Sequence, residues 1–196
     1  MSPRKYDMTR RASRAAQTRR RIIDATLELH GEQGIAATSW DDIAARAGVG
    51  VGTVYRHFPS VDELIPACGE ITRQRLALPD ARGVRALFDG VDAPADRIAR
   101  LVREAFAIYE RGAPQLRAIR NEPDVHPNVA EAGEEVQASL AALIDAAFEP
   151  FDITPADRAV SRAMIDLSTW DALRAQQVGN AEAVIAEMVI ARIMTA

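Results

Sequence analysis

Cysteine and aromatic residues are scarce in this chain, and long apolar runs are missing. One cysteine, Cys68, stands among 196 residues, which excludes an intramolecular disulfide framework and fits a reducing compartment. Aromatic residues make up 5%, and the alternating runs typical of strands are missing. No apolar run approaches the roughly 20 residues that span a bilayer, and the basic amino terminus lacks the apolar stretch of a secretory signal. These absences predict a soluble, cytoplasmic protein without membrane association.

Patterns that would indicate catalysis or metal binding are also missing. The three histidines, His30, His57 and His126, form no metal-ligand spacing with Cys68 or with paired carboxylates. The sequence has no GxSxG, P-loop or GxGxxG motif. We therefore predict no catalytic residue, no metal site and no cofactor, and an enzyme finds little support. A structural, partly buried role is favoured for His30, and a small core role for Cys68.

Basic and acidic residues are unevenly distributed along the chain. The formal net charge is −4, yet residues 1–60 carry ten Lys/Arg against six Asp/Glu. Residues 1–21 alone hold eight basic groups and one acidic group. Attraction to a polyanion depends on the local field and not on the total charge. We interpret residues 1–13 as a flexible basic arm that contacts DNA phosphates, and a solvated, disordered tail is the alternative.

Residues 39–60, SWDDIAARAGVGVGTVYRHFPS, read as two short helices joined by a glycine turn. Ser39 stands at an N-cap position, and Asp42 follows three residues later as in a capping box. Gly48 is placed where a left-handed C-cap ends a helix. A second helix, from Val51 to Phe58, follows the turn. This is the helix-turn-helix plan, in which the second helix enters the DNA major groove, so DNA binding is the leading interpretation.

The same segment resembles one family of proteins. Thr53-Val54-Tyr55-Arg56-His57-Phe58, preceded by Ala47-Gly48-Val49, is similar to the TetR family of transcriptional regulators. The first helix adds further matching residues, which are Ile22, Ile23, Ala25, Leu27, Glu28, Leu29 and Gly34. The resemblance covers roughly residues 15–65. It implies a homodimer on a palindromic, double-stranded DNA operator, released by a small-molecule effector. Repression is what the resemblance implies, and the sequence does not exclude activation.

The pattern of the whole chain predicts an all-α protein. We expect a flexible basic arm over residues 1–13, a three-helix helix-turn-helix DNA-binding domain over 14–60, and a larger helical domain for ligand binding and dimerisation over 61–196. The helices outside residues 39–60 are expected at about 14–33, 61–76, 81–89, 95–111, 115–121, 128–148, 155–177 and 181–194. Gly112-Ala113-Pro114 should break the chain between two of them.

The residues expected to touch DNA lie mainly on the second helix of the motif. By position in the family pattern, the candidates for base or backbone contact are Val51, Gly52, Thr53, Arg56 and His57. Tyr55 would reach a phosphate, and so would Ser39 at the start of the preceding helix. Arg56 is the best candidate to read a base, because its guanidinium group matches the two acceptors on guanine. Packing, and not contact with DNA, is expected for Ile43, Ala44, Val54 and Phe58.

Four positions depart from the usual pattern of that family. Gly50 and Val51 stand where a serine and a polar or basic residue are common, and Val61 replaces a frequent lysine. Asp41 occupies a position where arginine is frequent and would repel a phosphate. These departures keep a second interpretation open, in which the chain is a helical ligand-binding or scaffold protein whose helix-turn-helix lacks specific DNA recognition.

The last helix is apolar around most of its circumference. Such a helix must be covered on more than one side, and a second subunit can supply one cover. The preceding helix carries a stripe from Val160 to Leu173. We therefore predict a homodimer through the last two helices, about 155–177 and 181–194. Burial entirely within one subunit is the alternative.

A pocket for a small-molecule effector is expected between helices of the larger domain. Its apolar walls would come from Phe106, Tyr109, Leu116, Met164, Leu167 and Trp170. Its polar anchors would be Arg117, Arg120, Asn121 and Asp166. Ordinary core packing is the alternative for each aromatic residue, and a solvated or ion-paired surface is the alternative for each arginine. The residues do not identify the effector.

Overall fold

The computed structural model describes the backbone of residues 3–194 and the side chains of residues 10–193. Within that part the chain is helical without any strand, which confirms the all-α prediction. The α-helices are α1 Pro3–Gln33, α2 Trp40–Ala47, α3 Val51–His57, α4 Val61–Leu76, α5 Ala81–Phe88, α6 Pro94–Asn121, α7 Pro127–Phe148, α8 Pro155–Met164, α9 Leu167–Ala175 and α10 Ala181–Met194. A short 3-10 helix, Pro123–Val125, lies between α6 and α7. Over the described residues, no helix combines the length and apolar character that a membrane crossing requires.

Helix α1 extends further toward the amino terminus than the sequence predicted. It begins at Pro3, so residues 3–13 form its first turns, and a separate DNA-contacting arm at residues 1–13 stays a prediction. Proline suits the first position of a helix, and the following stretch is rich in arginine and alanine, which favour helix. Residues 1–2 of the expected arm lie outside the described residues.

The chain divides into two compact units. Unit 1 comprises the chain up to Arg73 together with Pro114–Gly133, and unit 2 comprises Gln74–Ala113 and the chain from Glu134 onward. The sequence placed a domain boundary after residue 60. Unit 1 also includes the first part of α4 and the segment around the 3-10 helix, and the predicted domain boundary stays a prediction.

The core of unit 1 lies between α1, α2, α3 and α4. Its central side chains are fully or almost fully buried, and they include Ile22, Ile43, Val54, Phe58 and Leu64. Burying a side chain of this size contributes roughly 1.5–3 kcal/mol to stability. The positions that the sequence assigned to packing, Ile43, Ala44, Val54 and Phe58, are all buried. This core fixes α2 and α3 against α1.

Unit 2 contains a helix break that the sequence did not predict. Residues 155–177 were expected to form one helix, but α8 ends at Met164 and α9 begins at Leu167. Asp166 caps the new helix, because its carboxylate accepts the Ser168 N–H at 2.8 Å. The buried hydroxyl of Tyr109 donates to the Ile165 carbonyl at 2.8 Å. A long-range hydrogen bond therefore holds the chain at the break.

Helix α6 is kinked where the sequence predicted a break. Gly112 has non-helical backbone angles, φ −153° and ψ 21°, so two helical stretches meet there. Pro114 contributes, because proline lacks the N–H that would continue the helix and restricts the residue before it. The absence of a side chain at Gly112 also leaves room for Leu76, since a Cβ atom at this position would force the Leu76 side chain to shift.

Arg97 is a buried cation that joins two helix ends in unit 2. Its guanidinium group donates to the carbonyl of Phe88, the last residue of α5, at 3.2 Å and to the carbonyl of Val91 at 2.7 Å. It also donates to Ala146 and Ala147, at 2.5 and 3.0 Å, in the last turn of α7. A cation suits these carbonyls because a helix C-terminus carries partial negative charge.

We expect Arg97→Leu to lower the free energy of unfolding by roughly 3 kcal/mol, because buried carbonyls would lose charged donors. Urea denaturation followed by circular dichroism measures the change. Arg103→Leu, at an exposed position of the same helix, is the control and should stay within about 0.5 kcal/mol. Equal effects of the two substitutions would contradict the structural role of Arg97.

Candidate DNA-binding interface

Both caps of α2 form as the sequence predicted. The Ser39 hydroxyl accepts the Asp42 N–H at 3.1 Å, and the Asp42 carboxylate accepts the Ser39 N–H at 3.2 Å. The Ser39 hydroxyl and backbone lower the pKa of Asp42, because these hydrogen bonds favour its ionised form. At the other end, Gly48 adopts the left-handed conformation, with φ 64°. The capping box and the glycine C-cap are confirmed.

Two arginines hold α2 and its turn against α1. Arg21 donates to the carbonyls of Ala47 and Gly48 at the turn, the second at 3.2 Å. Arg46 on α2 forms ion pairs with Glu32 at 2.6 Å and Glu28 at 3.2 Å on α1. These hydrogen bonds raise the pKa of Arg46 and lower that of Glu32. The first helix of the motif is thus tied to α1 on its polar side.

Helix α3 presents one face away from the core. Val54 is fully buried, whereas Tyr55 is 46% exposed and Arg56 is exposed. Arg56 Nη2 donates to Thr53 Oγ1 at 3.1 Å, which brings these two predicted contact residues together. The predicted residues on this helix are exposed or half-buried throughout, and they are Val51, Gly52, Thr53, Tyr55, Arg56 and His57. Their contacts with DNA stay predictions.

The polar surroundings of Ser39 bear on its predicted phosphate contact. Its hydroxyl donates to Asp42 Oδ2 at 2.6 Å, so the proton that a phosphate would accept is already engaged. Asp41 adds a second carboxylate in the first turn of α2. The contact by Ser39 remains a prediction, and it requires this hydrogen bond to rearrange.

Tyr55 is supported by an aromatic neighbour on α2. The rings of Trp40 and Tyr55 have centroids 5.0 Å apart and are tilted by 32°. Such pairs contribute about 0.5–1.5 kcal/mol beyond their buried area. The first residue of α2 therefore fixes an exposed side chain of α3.

Two side chains near the 3-10 helix hold the motif, and the sequence did not single them out. Glu122 accepts the N–H groups of Ile35 and Ala36, at 2.9 and 2.7 Å, in the loop between α1 and α2. His126 Nε2 lies 3.0 Å from Asp62 Oδ1 in the first turn of α4. Their partners are 64 to 87 residues away in the chain, and no local pattern reveals such pairs.

The residues predicted to bind an effector fall into two sets. In unit 2, the rings of Phe106 and Trp170 lie 6.2 and 6.1 Å from that of Tyr109, and all three residues are buried. The other members in this unit are Met164, Asp166 and Leu167. Those in unit 1 are Leu116, Arg117, Arg120 and Asn121. A shared binding site for these ten residues stays a prediction.

A capped helix, a left-handed glycine and a second helix with an exposed polar face define the class of helix-turn-helix proteins. Comparison with known families shows which family of helix-turn-helix proteins the motif resembles. The profile of bacterial regulatory proteins of the tetR family matches residues 22–68, which include the whole motif. Residues 22–68 therefore carry the domain that this profile describes.

Similarity to individual proteins extends beyond the motif. The HTH-type transcriptional repressor Rv3405c of Mycobacterium tuberculosis is 34% identical over 116 residues, which are 59% of this chain and 57% of that protein. The chain spans 26% to 57% of the length of the first curated relatives that it matches. A TetR-family member of Streptomyces coelicolor, SCO1917, is 27% identical with a TM-score of 0.54, covering 90% of this chain and 98% of that one. The multidrug binding protein EbrR, solved with imidazole, is 27% identical with a TM-score of 0.51 over 90% of each chain.

His30 near the end of α1 is a buried histidine, as the sequence analysis favoured. Burial lowers its pKa from 6.5 to about 4, and the negative charge of Glu122 opposes only part of this effect. The unfolded chain therefore binds a proton at this site between pH 6.5 and 4, whereas the folded protein does not. Folding stability contributed by neutral His30 is present above pH 6.5 and is lost as the pH falls toward 4.

We expect the free energy of unfolding to fall by roughly 3 kcal/mol between pH 6.5 and pH 4 through His30, since one pKa unit corresponds to about 1.4 kcal/mol. Urea denaturation across this range measures the loss. His30→Leu removes the titrating group and should flatten the pH dependence there. Parallel curves for the two proteins would show that His30 does not carry the effect.

Proposed function

We propose that the chain is a homodimeric transcriptional repressor that binds a palindromic DNA operator and leaves it when a small-molecule effector binds. The observation that carries the proposal is the exposed face of α3, where Thr53, Tyr55 and Arg56 lie together beside the Gly48 turn. An α-helix of this kind fits the major groove, and Arg56 suits the acceptors of guanine. The cytoplasm is the compartment that such a role requires.

Exposed apolar side chains in unit 2 support dimerisation. On α10, Val184 is 39% exposed and Met188 is 48% exposed, one turn apart on the same side. Val160 on α8 is also exposed, and α8 packs against α10. A second copy of this surface would cover these groups in a twofold interface. Because of the break before α9, the predicted interface would consist of three short helices, α8, α9 and α10.

An effector of apolar character is supported by the relative EbrR, which is a multidrug binding protein. The buried rings of Phe106, Tyr109 and Trp170 would line such a site in unit 2 if side chains moved aside. Effector binding would then lower DNA affinity by favouring a conformation that fits the operator less well.

Fluorescence anisotropy with duplexes from the region upstream of the gene tests the proposal. Titrations at several salt concentrations should give tight binding that survives an excess of unrelated duplex. The affinity should fall linearly with salt on logarithmic axes. Equal affinity for all duplexes would overturn specific recognition.

Residues 1–13 contribute basic charge to the proposed complex. They carry four Lys/Arg and one Asp. We expect their removal to weaken binding to every duplex and to lower the salt slope by up to about 5, since a dimer carries two such segments with a net charge of three each and each phosphate contact contributes roughly 0.9. Salt-titrated anisotropy of the shortened and full chains measures the difference. Unchanged affinity and slope would show that this segment makes no phosphate contact.

A second function is favoured by the departures from the family pattern. Gly50 caps α3 without a side-chain hydrogen bond, Val61 is exposed where a lysine is frequent, and Asp41 adds negative charge. A helical ligand-binding or scaffold protein without specific DNA recognition would carry such residues. Non-specific or absent binding in the anisotropy experiment would favour this alternative.

A further inference from the structure

Two cavities adjoin each other inside unit 1. The larger has a volume of about 300 Å³ and lies between the end of α1, the start of α2, α4 and the 3-10 helix. The smaller has a volume of about 50 Å³ and lies between α1, α4, α6 and α7. Both are lined by His30, Ile35 and Ile65. Since they share these walls, a ligand in one cavity would extend toward the other.

His30 is the polar group common to both cavities. It is 7% exposed, and its imidazole ring forms no hydrogen bond with any described residue. Buried polar groups in folded proteins almost always have a partner. With its pKa lowered to about 4, the ring is neutral near pH 7 and offers one donor and one acceptor. An imidazole on a cavity wall without a protein partner can bond to a water molecule, and a ligand that displaces this water would supply the same hydrogen bond.

The surroundings restrict the charge of such a ligand. Apart from His30, the walls that the two cavities share are Ile35 and Ile65, so a charged group seated against them would lose part of its hydration. The Glu122 carboxylate near His30 would repel an anion, and its two oxygens already accept the Ile35 and Ala36 N–H groups. His126 on the larger cavity is engaged with Asp62. The chemistry therefore favours an uncharged molecule.

The volume of the larger cavity restricts the size of the ligand. A dry cavity of about 150 Å³ holds a benzene molecule. The larger cavity here has about twice that volume. We propose that it is a binding site for a small uncharged molecule that carries one aromatic or aliphatic ring and one hydroxyl or carbonyl group, which bonds to His30.

This site has a direct connection to α3. Trp40 lines the larger cavity, and its ring lies 5.0 Å from that of Tyr55. A ligand that displaced Trp40 would remove the ring that packs against Tyr55, an exposed side chain of α3. Regulation of DNA affinity from this site rests on the proposed function, whereas ligand binding itself does not.

Benzyl alcohol and toluene are suitable probes, because they differ by the hydroxyl group that His30 would bind. Isothermal titration calorimetry of the full chain should show saturable binding of both at one site per chain. Benzoate and benzylammonium, of similar size but charged, should bind at least about tenfold more weakly. His30→Leu should weaken benzyl alcohol about fivefold and leave toluene within about twofold, since it removes the hydrogen bond and keeps an apolar wall.

A second substitution tests the location. Ala36 is exposed and lines the larger cavity, so Ala36→Phe fills it from the rim without disturbing the core. The affinity of both probes for this variant should be at least tenfold lower than for the unmodified protein. Absence of saturable binding in the unmodified protein, or equal binding by the three proteins, would overturn the site.

The effect of the probe on DNA binding is measured separately, with the operator duplex. A saturating probe should lower operator affinity at least threefold in the unmodified protein and should not do so in Ala36→Phe. Calorimetric binding with no change in DNA affinity would overturn the regulatory part and leave the site standing. Failure of the protein to bind any operator without the probe would instead count against the proposed function.

Discussion

Arg56→Ala is expected to remove most of the specific DNA affinity while the fold remains intact. The side chain is exposed, and its hydrogen bond goes to Thr53 of the same helix, so the core does not depend on it. A bidentate arginine–guanine contact contributes about 1–3 kcal/mol. A dimer would lose two such contacts, or about 2–6 kcal/mol, which corresponds to at least about a 30-fold weaker complex. Anisotropy titrations with operator and unrelated duplexes measure the loss.

The pattern of that loss separates base reading from general charge. Specific affinity should fall far more than affinity for unrelated duplex, because phosphate contacts are independent of sequence. Arg82→Ala, which removes an exposed arginine from α5 in unit 2, is the matched control and should change neither. A proportional drop for all duplexes would mean that Arg56 contacts phosphate and not a base.

Replacing Val184 and Met188 by glutamate is expected to convert the dimer into monomers. Both side chains are exposed on one side of α10, and a twofold axis would bring four new carboxylates together in an apolar interface. Burying unpaired charges costs far more than the contacts contribute. A monomer engages one half-site only, so operator affinity should fall by about 100-fold or more. Light scattering coupled to gel filtration measures the mass.

Val61→Glu is the control for adding charge at an exposed valine. Val61 is 47% exposed at the start of α4 in unit 1, outside the proposed interface. This variant should keep the mass of the unmodified protein. A double variant that remained dimeric would place the interface elsewhere, and a monomeric unmodified protein would remove it altogether.

Local signals in the sequence were sufficient for the helix-turn-helix. Ser39, Asp42 and Gly48 act within a few residues of themselves, so their spacing alone predicted the caps that the structure contains. The buried positions Val54 and Phe58 followed from helical periodicity. Gly112 likewise marked the kink in α6, because glycine followed closely by proline disrupts a helix.

Long-range contacts account for what the sequence did not reveal. The break between α8 and α9 depends on the Tyr109 hydroxyl, which lies 56 residues from its acceptor, Ile165. Glu122 accepts backbone N–H groups of a distant segment, and Arg97 donates to backbone carbonyls of another distant segment. The backbone groups that these side chains bond are the same in almost every residue type, so the sequence does not show which residues provide them. Such partners therefore become visible only when the fold brings them together.

Recognition of a specific DNA sequence by α3, as part of a symmetric dimer, underlies the proposed function. Selection of bound duplexes from a random pool tests it most directly, because it requires no knowledge of the natural operator. We expect an enriched inverted repeat, with half-sites separated by about 10 base pairs or a multiple of that spacing. Enrichment should disappear with Arg56→Ala. A pool without any enriched sequence, or with an asymmetric one that Arg56→Ala still selects, would show that α3 does not read DNA as part of a symmetric dimer.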